Sequence, residues 1–416
     1  MRSFAAGSQW RCRLKIGLLI GCSVTAVCML QRLVAAPVYN AGLAQTWLAP
    51  LNALSGLLLI PGRAVAFQLI PPANHHDSPA TMAISFVATL ILYTGLTTLL
   101  APKKSAAPPP PADDSDELLT RRKFLRVGAA RAAGIAAVGS VGGLTAYASL
   151  LEPKLLPVTH TTHLIHDLPP ELDGLRIVQL SDIHHGQWIP LNFVDRMVRA
   201  ANALQPDLIF LNGDYVAGSR RFIRPVVQVL AGLRARIGVL GVLGNHDWWE
   251  GAGETRDCFK AAEIPLIDNS SRFLTTDRRL VTTAPRTGLC LGGVGDLWED
   301  EVDVAAALRG APDDMPRLLL SHNPDVAEME EIAAGKVRID LMLSGHTHGG
   351  QVYIPFLGTP IVPSSYGQKY AQGLVDGPGC KVFITRGIGM TVLPIRIGVP
   401  PEIALHELRR ATPGVA

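Results

Sequence analysis

Residues 339–350 read IDLMLSGHTHGG. A short apolar run gives way to His346 and His348, two residues apart, with Gly345 before them and Gly349 and Gly350 after. Either this is a turn that happens to hold imidazoles, or neutral imidazoles are aimed at a metal and the glycines let backbone and ligands crowd together. The rest of the chain decides, because the same form recurs. LRIVQL (175–180) ends in Ser181-Asp182-Ile183-His184, and DLIFL (207–211) ends in Asn212-Gly213-Asp214. IGVLGVL (237–243) ends in Gly244-Asn245-His246-Asp247, and RLLL (317–320) ends in Ser321-His322-Asn323. Helical patterns such as 191–204 and 222–235 separate several of these runs. Strands alternating with helices predict an α/β fold with a largely parallel sheet. In such sheets ligand groups gather beyond the carboxyl ends of the strands, so these strand ends should converge in one crevice.

The residue types then specify the chemistry. Asp182, Asp214, His184, His322, His346, His348 and Asn245 form a donor set suited to borderline divalent cations such as Mn, Fe or Zn. The set is too large for one ion and suits two that share a bridge. Two ions roughly 3.5–4 Å apart can clamp both oxygens of an in-line phosphoryl displacement. Two dications less two carboxylates leave a positive pocket, which favours an anionic phosphoester.

Taken in order, D-x-H (Asp182, His184), G-D (Gly213, Asp214), G-N-H-D (Gly244–Asp247), the lone His322 and G-H-T-H (Gly345–His348) resemble the calcineurin-like metallophosphoesterase family. The resemblance covers about residues 170 to 408. The lead-in LDGLRIVQLSDIH and the tail ITRGIGMTVLPIRIGVPPEIALHEL are similar, more narrowly, to its bacterial membrane-associated or twin-arginine-exported phosphodiesterase branch. The resemblance implies a four-layer αββα sandwich. Carried over, Asp182, His184 and His348 would hold one metal, Asp214 would bridge, and Asn245, His322 and His346 would complete the second. His246 would stand over the leaving-group oxygen, with Asn245 touching phosphate and Asp247 orienting the imidazole or capping the helix that follows. The nucleophile would be a metal-bridging hydroxide. Two alternatives remain: a lipid-envelope pyrophosphatase resembling those that cleave UDP-2,3-diacylglucosamine, and a catalytically inactive binding module.

Other candidates carry blander expectations. His185 reads as rim or support, and His160, His163 and His166 as an exposed strand or loop. His75, His76 and His406 read as incidental. Asp296 reads as a strand-end turn, and Arg386 and Arg396 as structural ion pairs more than phosphate contacts. Trp188, Trp248 and Trp249 follow ligand motifs and could line a pocket mouth. Cys258, Cys290 and Cys380 lack metal-site spacing and read as free thiols.

The first 151 residues have a different character. The chain has 416 residues, 48% of them hydrophobic, with a net charge of +3. That charge is too small to suggest nucleic acid, and no basic-aromatic interleaving is present. The apolar excess sits at the front, in stretches 16–37, 47–70 and 82–101. Residues 1–101 therefore read as a membrane region with two spanning helices, the first and third. The second, broken by Pro61-Gly62-Arg63, reads as re-entrant or as a third span. Arg2, Arg11, Arg13 and Lys15 on one flank, and Lys103 and Lys104 on the other, place both ends in the cytoplasm. Residues 102–120 form a proline-rich, then acidic, cytoplasmic linker. Thr120-Arg121-Arg122-Lys123-Phe124-Leu125-Arg126, followed by a small-residue apolar run, resembles a twin-arginine export signal spanning 121–151. The export machinery is thus an expected partner. Residues 152–416 are expected as the catalytic domain, outside the cytoplasmic membrane, tethered or released by cleavage after Ala146-Tyr147-Ala148.

Overall fold

The computed structural model describes residues 143, 144 and 146–411. The expected spanning stretches, the linker and the paired arginines lie outside them. Among the described residues no helix is long and apolar enough to cross a membrane. By compactness the chain divides into Met1–Ala146 and Tyr147–Ala416, and the second, the catalytic unit, carries the strand-end motifs. Its lead-in is fastened down: Ala148 and Glu152 are buried, and the Arg396 N–H donates to the Ala148 carbonyl at 2.9 Å.

In chain order the strands are β1 (Val158–Ile165), β2 (Leu175–Leu180), β3 (Leu208–Asn212), β4 (Gly238–Val242), β5 (Ser270–Thr275), β6 (Leu280–Val281), β7 (Gly288–Gly293) and β8 (Arg317–Leu320). They continue with β9 (Leu341–Ser344), β10 (Gly373–Asp376), β11 (Lys381–Ile384) and β12 (Ile403–Arg410). The helices are α1 (Leu191–Ala203), α2 (Ile223–Leu230), α3 (Asn245–Ala261) and two single turns, α4 (Val304–Ala307) and α5 (Glu330–Ala333). One sheet has the order β1-β12-β2-β3-β4 and the other β10-β11-β9-β8-β7-β5-β6. β2, β3 and β4 run parallel, as do β7, β8, β9 and β11. β12 is antiparallel to β2, β10 and β6 are antiparallel edge strands, and β5 lies antiparallel between β7 and β6, so both sheets are mixed.

The layers follow from which faces are apolar. β3, β8 and β9 are buried along their whole length, as unbroken apolar runs covered on both faces must be. Ile177, Leu208, Phe210 and Leu240 of the first sheet meet Leu289, Leu318, Leu341, Leu343 and Phe383 of the second in an inter-sheet core. The outer face of the first sheet packs on α1 and α2, where Val194, Met197, Val198 and Ala201 recur at helical spacing. The second sheet's outer face is covered by Val304, Ala307, Val326 and Ile332 around α4 and α5. Helix, sheet, sheet, helix is the expected four-layer arrangement.

His163 is not exposed as its strand pattern suggested, and His406 is its partner. His163 is buried and His406 fully so, both beside Phe383 in the inter-sheet region. They close a chain of hydrogen bonds whose tautomers can be worked out. The Gln179 amide donates to the Ser344 carbonyl, leaving its oxygen to accept from His406 Nε2 at 3.0 Å. His406 Nδ1 must then accept from His163 Nε2, also at 3.0 Å. β1 alternates out and in, so His163 points inward while its neighbours face water; spacing alone could not assign that face.

Candidate metal centre

The parallel strands bring their carboxyl ends to one place, and backbone bonds fasten those ends together. The Asp182 N–H donates to the Gly213 carbonyl at 3.0 Å, and the Gly345 N–H to that of His322 at 2.9 Å. Asn212 stitches the sheets together, its amide donating to the Leu343 carbonyl at 2.7 Å. The chain then turns sharply. Asp182, His184, Asp214, His346 and His348 all have positive φ, between 49° and 69°. Few non-glycine residues adopt that region, and clusters of them mark functional sites. Close approach needs glycine here: a Cβ on Gly345 would overlap Ser181 Oγ and Asp182 Oδ2.

All seven expected donors converge, together with His246. On one side His348 Nε2 is 2.9 Å from His184 Nε2 and 3.3 Å from Asp182 Oδ1. On the other, His322 Nε2 is 3.2 Å from both His346 Nδ1 and Asn245 Oδ1. Asp214 Oδ2 lies between the groups, 3.4 Å from His184 Nε2 and 3.3 Å from His322 Nε2. Ligands about 2.1 Å from a common ion stand roughly 3.0–3.4 Å from one another. The donor spacings cluster near that separation, with His184 Nε2 and Asp182 Oδ1 the widest pair at 3.9 Å, so the residues present fit two cations. Asp182, His184 and His348 form one compact group, and Asp214, His322 and His346 another.

Electrostatics says the same. Burial pushes Asp182 up to about 6. Burial also opposes charge on Asp214 and His322, yet each holds the other ionised: Asp214 lies well below the carboxylate range, and His322 well above the imidazole range. Burial drives His184 and His348 well below it and His346 to about 3. Neutral imidazoles at His184, His346 and His348 beside ionised Asp214 are the protonation states that a divalent cation requires, whereas His322, held protonated by Asp214, would release its Nε2 proton on binding one. His322 Nδ1 donates to the Asn212 carbonyl at 2.7 Å, which turns Nε2 toward Asp214.

The neighbours sort as follows. Asp247 accepts from the N–H groups of Asp214 (2.8 Å), Tyr215 (2.9 Å) and Gly244 (3.0 Å), so it ties the start of α3 to the Asp214 turn in the N-terminal role. His246 donates its N–H to Asp214 Oδ1 at 2.8 Å, and its ring stands edge-on to those of His184 and Trp249. His185 is buried against Ile189 and Phe222. Arg386 makes an ion pair with Glu402 at 2.9 Å. Arg396 is fully buried but bonds backbone carbonyls of residues 386–399 instead of a carboxylate, with burial lowering it to about 9. Trp188 and Trp248 pack against the core, while Trp249 is partly exposed. Cys258, Cys290 and Cys380 are free. Two participants were missed or undervalued. Trp298 lies edge-on to His346 with ring centroids 4.4 Å apart, and nothing local in its sequence signals this. Asp296 makes the expected turn bonds to the Trp298 and Glu299 N–H groups. It is also buried close enough to His322 and Asp214 to feel their charges, with burial raising it to about 6.

Residues 175–350 match the model of the calcineurin-like phosphoesterase family. The uncharacterized metallophosphoesterase YkuE of Bacillus subtilis (strain 168) is 31% identical over 296 residues, covering 70% of this chain and 98% of that one. The chain belongs to the calcineurin-like metallophosphoesterase family. Phosphodiesterase YaeI of Escherichia coli (strain K12) is 29% identical, with 70% of this chain and all of that one covered. UDP-2,3-diacylglucosamine pyrophosphatase LpxG of Chlamydia muridarum is 28% identical, covering 64% and 97%. This metallophosphoesterase is accordingly a hydrolase acting on phosphoesters.

Proposed function

We propose that the chain hydrolyses phosphodiester bonds at a pair of divalent cations, at a membrane and outside the cytoplasm. The observation that carries the two-cation site is Asp214 Oδ2, one oxygen shared by two donor groups. Asp182, His184 and His348 would hold one ion, Asn245, His322 and His346 the other, and Asp214 both; Mn, Fe and Zn suit the set. Bound ions of this kind polarise phosphoryl oxygens and acidify water. The chain's own residues do the rest. The Asn245 amide orients substrate from the second group. His246, held by its backbone at Asp214, is placed to protonate the departing oxygen. The partly exposed Trp249 and Trp298 border the opening. Extracytoplasmic placement is supported by the cationic flanks of the apolar stretches and the paired arginines. A reporter fused after Ala416 tests it, since activity of a cytoplasm-only reporter would reverse the topology.

The test of chemistry uses the full-length protein with bis(4-nitrophenyl) phosphate. Asn245→Ala and His246→Ala should each fold and turn over slowly, and parental rates in both would end the proposal. A second reading, cleavage of the pyrophosphate in a nucleotide-diphospho-lipid, is favoured by the likeness to LpxG. A panel of monoesters, diesters and lipid pyrophosphates under separate metals distinguishes the two. A catalytically inactive module would bind no metal and turn over none of the panel.

A further inference from the structure

Residues 352–363, VYIPFLGTPIVP, follow the last histidine of the metal centre closely and contain no charged side chain. Such a run belongs in a core, yet here it faces water. Tyr353 is 43% exposed, Leu357 59%, Ile361 57%, and Phe356 has no cover at all. The tip is a tight turn in which the N–H groups of Leu357 and Gly358 donate to the Ile354 carbonyl. Phe356 sits there at φ 69°, a conformation uncommon for a bulky residue. Pro355, Pro360 and Pro363 limit the backbone's freedom on either side, so the phenyl ring is held outward.

The loop's position gives this exposure a meaning. The Tyr353 N–H donates to the Ile397 carbonyl, and the Ile397 N–H to that of Gln351. The Gln351 side chain bonds both backbone groups of Thr391. The same 391–399 segment receives the start of the catalytic unit, through Arg396 to Ala148 and through Val399 to Glu152 Oε1 at 2.7 Å. Tyr147, Leu151 and Leu155 are exposed there, as is Val392. The apolar tip and the point where the chain arrives from its small-residue apolar run (127–151) therefore flank one short segment.

We propose that this face docks on a lipid bilayer, with Phe356 and Leu357 entering the interface. The metal centre is then held at headgroup level, over phosphoesters carried by membrane lipid. The lipid-substrate half rests on the phosphoesterase reading above; the docking half does not. A bilayer suits this face better than a protein partner. The face is a protruding tip instead of a flat or grooved patch, Tyr353 accompanies Phe356 as interfacial aromatics do, and the upstream sequence carries bilayer-length apolar stretches. The nearby cation Lys369 is paired with Glu328, so docking should depend on apolar insertion and not on anionic lipid.

The experiment places the full-length protein in phosphatidylcholine vesicles whose acyl chains are brominated. Phe356→Trp should add an emission component, relative to the parent, that is blue-shifted and quenched by bromine. An added component quenched instead by aqueous iodide, or blind to both quenchers because protein covers it, overturns the docking. In the same vesicles Phe356→Ser/Leu357→Ser should lower turnover of a lipid phosphodiester at least tenfold and leave bis(4-nitrophenyl) phosphate turnover at the parental rate. An equal change in both rates, or in neither, overturns the orientation. Failure of the parent on every phosphoester, with bromine quenching intact, would instead remove the phosphoesterase reading and leave the docking in place.

Discussion

His246 and Gly345 show how much a single position carries. His246 is placed beside both donor groups but is held through its backbone, so His246→Ala should leave metal content unchanged while kcat falls roughly 10²–10⁴-fold. Inductively coupled plasma analysis beside steady-state kinetics checks both parts. Gly345→Ala should do the opposite and lose metal, because the added methyl lands on Ser181 Oγ and Asp182 Oδ2. His163 supplies a pH signature away from the site. Burial lowers it from an ordinary value of 6.5 to about 4, so the unfolded chain takes up a proton below pH 6.5 that the folded protein refuses until near pH 4. Stability should therefore fall as pH drops through that window, by about 3 kcal/mol from this group alone at 1.36 kcal/mol per pKa unit. Denaturant titrations at pH 7 and pH 4.5 measure it, and His163→Gln, which keeps a donor toward His406, should flatten the slope.

At the scale of elements, the sequence was most readable where chemistry and geometry coincide. Each donor-bearing strand end is a contiguous motif, because a buried parallel strand must be apolar throughout and its carboxyl end must carry the ligands. Pairing between distant strands left no such trace. β12 inserts between β1 and β2, and β6 and β10 close the second sheet's edges, although their local patterns do not name a partner. Trp298 reaches His346 only through a long-range fold, whereas the cap role of Asp247 was readable from its place three residues after Gly244. That cap predicts a clear loss. Asp247→Ala strands the N–H groups of Asp214, Tyr215 and Gly244, at about 1–3 kcal/mol for each buried donor, and should loosen the bridging carboxylate. A lowered Tm together with weaker metal retention on dialysis is the expected result; a lower Tm with parental metal content would confine Asp247 to the helix.

For the whole molecule, the catalytic unit hangs together partly through its ligands, since seven donors from both sheets meet at one place. Ions that bind only the folded form stabilise it by mass action, about 4 kcal/mol at a thousandfold excess over Kd. Chelation should therefore lower Tm, and Zn or Mn should restore it; a Tm indifferent to chelator would separate folding from metal binding. The strand order has a further consequence, for how the protein comes into being. Among the described residues β12 supplies the ladders that join β1 to β2, and Glu402 beside it holds Arg386. A polypeptide still emerging from the ribosome can assemble β2, β3 and β4, but it lacks the strand that completes their sheet until residue 410 is free. Completion of the catalytic unit thus waits on its last strand, and a truncation that removes Ile403–Arg410 should abolish it however intact the upstream motifs remain.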